Sequence, residues 1–249
     1  MSVTLGLVLT ERNARRRRAP DPRVDVVMLE RTLLDPPRAG AAKRWAQQVQ
    51  RSFPRARLLP LAWHLVTHGP EDRMRERSTR TLSGPPHLFG GLQDNAQIQQ
   101  AWDVTRLCAN AMQSNTVVLR TPPSITPGAL GRARIRAFAE VRRAEGIDLV
   151  WEPEGLWEAP VAAALAREVG ITVMLPAFAG GRPLRNEQGN GLAAPGAWLR
   201  VDIPREGTIH GGMIDELLDH AEVAADPAIV FSGARARNNL ATFADALEL

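Results

Sequence analysis

Short apolar runs alternate with amphipathic segments along most of the chain. Eight runs are rich in valine, leucine and isoleucine, as is typical of parallel strands that are covered on both faces. The clearest amphipathic segment follows Asp94, a plausible N-cap, and has apolar residues at helical spacing. The pattern predicts strands at residues 3–9, 24–29, 56–64, 116–120, 147–152, 171–175, 197–203 and 228–232.

The alternation of strands and helices predicts the fold class. Eight strands with interleaved helices favour an α/β fold, a TIM-like (β/α)8 barrel in which loops replace some helices. A chain of 249 residues suits one such domain, so we predict a single domain over residues 1–249. A doubly wound open sheet is the alternative. Two long loops, 67–91 and 177–196, each follow a strand, which in a barrel places them at the C-terminal mouth, where barrel sites lie.

Side-chain alternation assigns several charged residues to the inside of the barrel mouth. One interpretation is a pocket for an anion or a sugar, in which a carboxylate serves as general acid or base. The other is an ion-pair cluster that satisfies itself, because buried charges need partners. The residues that would meet at the mouth are Arg120, Glu152, Glu154, Arg200 and Asp202.

The histidines do not predict a metal site, and we predict no cofactor. His64 and His68 have the i, i+4 spacing of two ligands on a helix. Here, however, they extend a strand-like run, in which four residues span roughly 13 Å. His68, which ends this run before a long loop, is the better catalytic candidate. We expect His87, His210 and His220 at the surface.

Composition and charge add few constraints. The formal net charge is +4, and Lys43 is the only lysine among 31 basic residues. The run Arg15–Arg18 is a candidate for weak nucleic-acid binding, although it has no interleaved aromatic residues to stack on bases. A single cysteine, Cys108, excludes an intramolecular disulfide and suits a cytoplasmic location. No apolar run is long enough to span a membrane, and the N-terminus does not resemble a secretory signal.

Several segments, in order along the chain, resemble the YecE-like family of TIM barrels, a bacterial and archaeal family of unknown function. The resemblance implies a TIM-like barrel with its site at the C-terminal ends of the strands. Thr32 and Trp63, which match two of the family's motifs, are therefore added to the candidate binding residues. The matching segments are VVMLERTLLDPP (26–37), RW (44–45), LAWHLVTH (61–68), AWDVT (101–105), VVLRTPPS (117–124), VWEPEGLW (150–157) and AWLRV (197–201).

The chain departs from the family at several positions of these motifs. Glu152 matches the family, whereas Arg120 replaces a glutamine and Glu154 replaces an arginine. If these two positions are adjacent, an Arg120–Glu154 pair would keep the local charge balanced. Four positions that usually carry a glutamate, a tyrosine, a lysine and an aspartate are apolar here: Met28, Leu34, Leu61 and Leu175.

The sequence leads to three functional hypotheses, of which the first follows from these departures. One general acid or base contributes about 10²–10⁴-fold to a rate, so the loss of four polar groups would abolish or alter the family's chemistry. The first hypothesis is therefore a degenerate barrel, either a non-catalytic pseudoenzyme or a protein of altered specificity, that binds a protein partner or a ligand at its C-terminal mouth. The second is an enzyme acting on an anionic or sugar-like molecule, with Glu152 as general acid or base and His68 assisting. Arg120 and Arg200 would then hold the anion. The third is weak nucleic-acid binding through Arg15–Arg18.

Overall fold

Eight parallel strands form one sheet in the computed structural model, which describes residues 3–10, 19–179, 182–183, 196–204, 207–224 and 226–248. The strand order is β3-β2-β1-β8-β7-β6-β5-β4. The strands are β1 (Thr4–Leu9), β2 (Val26–Leu29), β3 (Arg57–Pro60), β4 (Thr116–Thr121), β5 (Asp148–Pro153), β6 (Thr172–Pro176), β7 (Trp198–Asp202) and β8 (Ala228–Ser232).

The two ends of this sheet meet where β3 approaches β4. Just beyond β3, Leu61 forms a parallel bridge with Val118. The N–H of Ala62 donates to the Val118 carbonyl at 2.8 Å. The sheet therefore closes into a barrel through a short contact. The predicted (β/α)8 barrel is confirmed, and the doubly wound open sheet is excluded.

Helices pack around the barrel after most of its strands. No helix occurs in the described parts of the connections after β1 and β6. The helices are α1 (Arg31–Leu34), α2 (Ala39–Ser52), α3 (His64–Thr67), α4 (Met74–Arg77), α5 (Ala96–Ala111), α6 (Ala129–Ala144), α7 (Ala159–Val169), α8 (Gly211–Val223) and α9 (Ala236–Leu247). A 3-10 turn (Pro86–Leu88) precedes α5, and a two-residue antiparallel pair follows β6.

Apolar side chains form an inner and an outer layer. Leu199 and Val201 of β7 pack beneath the helices, whereas Trp198 of the same strand packs against the barrel interior. This is the alternation that the sequence predicts. The side chains that fill the interior are no more than 2% exposed: Val8, Val26, Met28, Leu59, Leu61, Val118, Val150, Met174 and Val230.

Helix α5 matches the amphipathic helix that the sequence predicts, with a change of one residue at its start. Asn95, not Asp94, is the N-cap, because the Asn95 side chain accepts the Ile98 N–H at 2.8 Å. Cys108 lies on the buried face of this helix, and burial raises the pKa of its thiol to about 12. The thiol is therefore protonated at neutral pH and packs in the core.

The predicted strand 56–64 is too long, because side-chain hydroxyls from other elements take over the backbone pairing beyond β3. The Thr32 hydroxyl accepts the Leu61 N–H at 2.7 Å. The Thr105 hydroxyl of α5 accepts the Trp63 N–H at 3.0 Å. With these partners the chain leaves the sheet and enters α3. Both contacts come from distant segments, so the local apolar pattern could not indicate them.

Three of the five histidines are buried. His64 begins α3 and His68 follows its end, so the strand interpretation of this pair is wrong. The His68 N–H donates to the His64 carbonyl at 2.7 Å. His87 and His210 are exposed, as expected. The surface prediction for His220 is wrong, because its position on α8 falls on the buried stripe of that helix.

Gly90 allows the long loop after α3 to return against the backbone of His68. Its φ is +81°, and an added Cβ would lie 2.3 Å from the His68 carbonyl oxygen. Gly146 has a similar φ of +74°, but a Cβ added to it would have no atom within 4 Å. We therefore expect Gly90→Ala to lower the free energy of unfolding by about 3 kcal/mol or more, and Gly146→Ala by about 1–2 kcal/mol. Urea denaturation measures both, and equal losses would contradict the close approach.

Candidate functional site

The C-terminal ends of three strands bring three charged side chains together above the apolar interior. Arg120 of β4 and Glu152 of β5 are direct register partners. Arg200 reaches them from β7, across β6. Arg120 and Glu152 each lie two positions after an interior residue, Val118 and Val150. Strand alternation therefore places them in the next layer toward the mouth.

Glu152 is bound by both arginines. Its Oε2 accepts a hydrogen bond from Arg120 Nε at 2.8 Å, and its Oε1 accepts one from Arg200 Nη1. Burial alone would favour the protonated acid, but the two guanidinium groups hold the pKa of Glu152 below its usual range. Glu152 is therefore an ionised carboxylate at neutral pH, with a strong donor on each oxygen.

Arg120 is buried and contacts more than one carboxylate. In addition to its bond with Glu152, its Nη1 donates to Glu30 Oε1 at 3.2 Å. Its Nε lies 3.9 Å from Glu154 Oε1, too far for a hydrogen bond. Its Nη2 is buried and has no hydrogen-bond partner among the described residues. A buried donor in this state costs about 1–3 kcal/mol, so Arg120 has hydrogen-bonding capacity for one further acceptor.

Carboxylates surround the two arginines. The Glu154 and Asp202 side chains are 46% and 60% exposed, and neither has a hydrogen bond within the described part of the chain. Asp202 Oδ2 lies 3.7 Å from Arg200 Nη2. With Glu30 and Glu152, four carboxyl groups oppose two guanidinium groups, so these six side chains have a formal net charge of −2.

The two glutamates of β5 and its following turn have pKa values shifted in opposite directions. Desolvation raises the pKa of Glu154, and the opposing charge of Arg120 does not cancel the effect. Glu152, two residues earlier, has its pKa lowered by the two arginines. The predicted Arg120–Glu154 pair is thus a 3.9 Å contact, whereas the shorter contact of Arg120, at 2.8 Å, is with Glu152.

His68 is 1% exposed, and the charge of Arg120 acts on it. Burial is the main cause that lowers the pKa of His68 to about 4. The charge of Asp72 opposes this shift, whereas the charges of His64 and Arg120 add to it. Its Nδ1 lies 2.7 Å from the Thr67 hydroxyl oxygen. His68 is therefore a neutral imidazole at physiological pH.

Thr32 and Trp63 are fully buried, and their polar atoms are used within the protein. The Thr32 hydroxyl oxygen lies 2.8 Å from the Leu29 carbonyl oxygen and also accepts the Leu61 N–H. The Trp63 indole N–H donates to the Leu34 carbonyl at 2.9 Å. Both side chains therefore connect the chain around the end of β2 and α1 to the segment that follows β3.

Of the four apolar replacements, only Leu34 is partly exposed. Met28 and Leu61 are 0% and 1% exposed and lie inside the barrel. Leu175 packs with residues that face the helices, so its side chain does not point toward the mouth.

Sequence reasoning did not select Glu30 as a site residue. Glu30 directly follows β2 and comes two residues after the interior residue Met28. The alternation that selected Arg120 would therefore have selected it as well. Ser232 is a second such residue: it ends β8, and its hydroxyl oxygen accepts a bond from Arg200 Nε at 3.4 Å.

The loop between α3 and α5 covers one side of the mouth. Met74 of α4 packs against the interior cluster. Asp35, which follows α1, holds this loop: its carboxylate accepts the Ser78 hydroxyl at 2.9 Å and the Thr79 hydroxyl at 3.0 Å. It also accepts the backbone N–H groups of Thr79 and Arg80, at 2.8 and 2.9 Å. One side chain thus fixes the loop through four hydrogen bonds.

Asp35→Ala is expected to increase the rate of tryptic cleavage after Arg73 and Arg77 about 10-fold or more. Both arginines are exposed on this loop, and the loss of hydrogen bonds to a charged acceptor favours local opening. Limited proteolysis followed by mass spectrometry measures the effect. Asp94→Ala, at an exposed position between the loop and α5, is the control and should cleave like the wild type. An unchanged rate in Asp35→Ala would contradict the role of Asp35.

The described residues contain no group of three His, Cys, Asp or Glu side chains that could hold a metal ion. No helix among them is long and apolar enough to cross a membrane. The Arg15–Arg18 run and most of the predicted loop 177–196 lie outside the described residues. Nucleic-acid binding through that run stays a prediction.

Comparison with solved structures identifies similar folds. A DUF72 family protein from Thermotoga maritima superposes with a TM-score of 0.52 at 12% identity, over 91% of this chain and 86% of that one. The fold is a TIM barrel. A xylose isomerase-like TIM barrel/4-hydroxyphenylpyruvate dioxygenase fusion protein gives a TM-score of 0.56 at 12% identity, over 99% of this chain and 42% of that one.

No protein-family model and no curated protein matches the chain. At 12% identity the structural similarity shows the fold alone. The finer resemblance to the YecE-like family therefore stays a prediction.

Proposed function

We propose that this barrel is a ligand-binding protein whose C-terminal mouth binds a small polar molecule, and that Glu152 holds the two arginines in place without transferring protons. One observation carries the proposal: each carboxylate oxygen of Glu152 accepts a hydrogen bond from a different arginine. A general acid or base works best when its pKa lies near the working pH. The arginines move the pKa of Glu152 away from that range.

His68 does not supply the missing proton chemistry. Burial lowers its pKa to about 4, so the neutral imidazole is a weak base at pH 7. Its Nδ1 is already paired with the Thr67 hydroxyl. The two residues that the sequence selected as catalytic are thus a paired carboxylate and a weakly basic imidazole, which supports binding in preference to catalysis.

The charges at the mouth favour a ligand with positive or hydrogen-bond-donating groups. Glu154 and Asp202 are exposed carboxylates without hydrogen bonds among the described residues, and Glu30 is 30% exposed. An anion without a compensating positive group would meet side chains with a formal net charge of −2 at this short range. An N–H or O–H of a ligand would instead find acceptors on Glu154 and Asp202.

A small ligand suits this mouth better than an apolar side chain from a protein partner. Met28 and Leu61, which would have accepted such a side chain, are buried beneath the charged layer. Met74 packs against the same interior cluster from the loop. Leu34, unlike Met28 and Leu61, is partly exposed, whereas Glu154 and Asp202 are exposed carboxylates. The binding that we propose is therefore hydrogen bonding to charged side chains.

A thermal-shift screen of amines, amino acids, polyols and organic anions tests this proposal. A ligand that saturates the site at about 100 times its Kd should add about 2.7 kcal/mol to the free energy of unfolding. We expect this stabilisation to disappear in the Glu154→Gln, Asp202→Asn double variant. Glu158→Gln is the matched control, because Glu158 is exposed on the same connection and lies outside the cluster. Stabilisation by none of these ligands, in a well-folded protein, would overturn the proposal.

A second candidate function is an enzyme in which Glu154 transfers the proton. The supporting observation is the contrast on β5 and its following turn, where the pKa of Glu154 is raised and that of Glu152 is lowered. Pairs of carboxylates with divergent pKa values often divide proton transfer and charge stabilisation between them. Any ligand found in the screen should therefore be analysed for conversion, which Glu154→Gln would abolish.

A further inference from the structure

We infer that the ligand is a zwitterion of the α-amino-acid class, with its carboxylate bound by Arg120 and its ammonium group bound by Glu154. The inference rests on the proposed function, because it names the ligand class of the same mouth. It combines two independent observations on the described residues: a buried nitrogen of Arg120 has no hydrogen-bond partner among them, and beside this arginine the exposed Glu154 carboxylate has no hydrogen bond to them.

The unpartnered nitrogen indicates an acceptor in the ligand. Arg120 is 7% exposed, its Nε and Nη1 are bonded to Glu152 and Glu30, and its Nη2 has no partner within the described residues. Two N–H groups on one guanidinium nitrogen suit a carboxylate oxygen, the acceptor with which arginine forms its strongest bonds.

The position of Glu154 indicates a positive group next to that acceptor. Its Oε1 lies 3.9 Å from Arg120 Nε, so ligand groups bound to these two side chains must be close neighbours. In an α-amino acid a single carbon separates the carboxylate from the ammonium group. The same ammonium group offsets the repulsion between the ligand carboxylate and the excess negative charge of the mouth. A simple organic anion has no such compensation.

The aromatic residues do not support a sugar as the ligand. Sugar faces pack well on exposed aromatic rings, because such rings present a flat apolar surface. The chain has six tryptophans, six phenylalanines and no tyrosine. All twelve rings lie within the described residues and are buried or half-buried. A ligand bound through charges alone fits this arrangement.

Access to Arg120 Nη2 requires movement, because this atom has no contact with solvent in the structure. Among the described segments, the loop held by Asp35 lies outside the barrel wall, and its Met74 packs against the interior cluster. Displacement of this loop would leave the sheet intact.

Calorimetric titration with a matched set of compounds tests the inference. The twenty standard amino acids are screened first, and the tightest is compared with the carboxylic acid that lacks its amino group and the amine that lacks its carboxylate. We expect the Kd of each truncated compound to be at least about 30-fold higher than that of the amino acid, because each compound leaves a charged side chain of the site without its partner. Glu154→Gln should weaken the amino acid similarly, whereas Glu158→Gln should not change its affinity.

The outcomes separate this inference from the proposed function. If the amino acid binds and both truncated compounds bind at least about 30-fold more weakly, the zwitterion inference and the proposed function are both supported. In a second outcome, the amine binds as tightly as the amino acid or more tightly, or a polyol binds selectively, and this binding is lost in the Glu154→Gln, Asp202→Asn double variant. That outcome overturns the zwitterion and retains a ligand site at the mouth. Binding of none of the amines, amino acids, polyols or anions overturns both.

Discussion

Glu152→Ala is expected to lower the free energy of unfolding at pH 7 by about 3–5 kcal/mol. The substitution leaves Arg120 and Arg200 close together without the carboxylate that binds both. Arg120 is 7% exposed, and its 3.2 Å bond to Glu30 is the one hydrogen bond that it would keep among the described residues. Removal of one member of a buried ion pair is strongly destabilising, because it leaves an uncompensated charge in the interior. Urea denaturation followed by circular dichroism measures the change.

Glu154→Ala is the matched control for this prediction. Glu154 lies two residues further along, is 46% exposed and approaches Arg120 only to 3.9 Å. Exposed ion pairs contribute about 0–1 kcal/mol, so this variant should lose no more than that. If the two alanine variants were equally stable, Glu152 would not hold the arginines in place, and a catalytic role for Glu152 would be favoured again.

Lowering the pH from 7 to 4 is expected to remove about 3 kcal/mol of stability through His68. The pKa of His68 is about 4 in the folded protein, because it is buried, against 6.5 for an ordinary histidine. Between these values the unfolded chain binds a proton that the folded protein does not bind, so stability falls as the pH falls. Each unit of pKa difference corresponds to about 1.4 kcal/mol. The loss should extend from about pH 6.5 down to about pH 4.

Denaturation series at several pH values, on the wild type and His68→Gln, measure this contribution. The variant should lose about 3 kcal/mol less than the wild type over the same pH range. His87→Gln is the control, because His87 is exposed and should follow the wild type. An NMR titration of the His68 imidazole gives the pKa directly, so the prediction can be tested even if the variant folds poorly. A measured pKa near 6.5 would contradict it.

Local periodicity was sufficient for most of the fold. The eight apolar runs correspond to the eight barrel strands, because a strand buried on both faces must be apolar at nearly every position. The same alternation placed Arg120, Glu152 and Arg200 on one layer, and the structure brings these three side chains into contact. Applied to β2 it would also have found Glu30.

The partners within that layer were not predictable from the sequence. An Arg120–Glu154 pair was expected if the two positions were adjacent, and the structure contains it as a 3.9 Å contact. Strand register places Arg120 directly beside Glu152, which is its closer partner at 2.8 Å. Register depends on pairing between segments about 30 residues apart. Similarly, α3 replaces the end of a predicted strand because Thr32 and Thr105, from other elements, bind the backbone there.

The sequence by itself determined the class of fold, the inward-facing positions and the types of charge at the mouth, because these follow from the two-residue period of a strand. Tertiary structure alone decided which arginine binds which carboxylate, that His68 is buried and neutral, and that Arg120 Nη2 has no partner among the described residues. The physical reason is that bonding, burial and pKa depend on the distances between segments remote in sequence, which no local pattern contains.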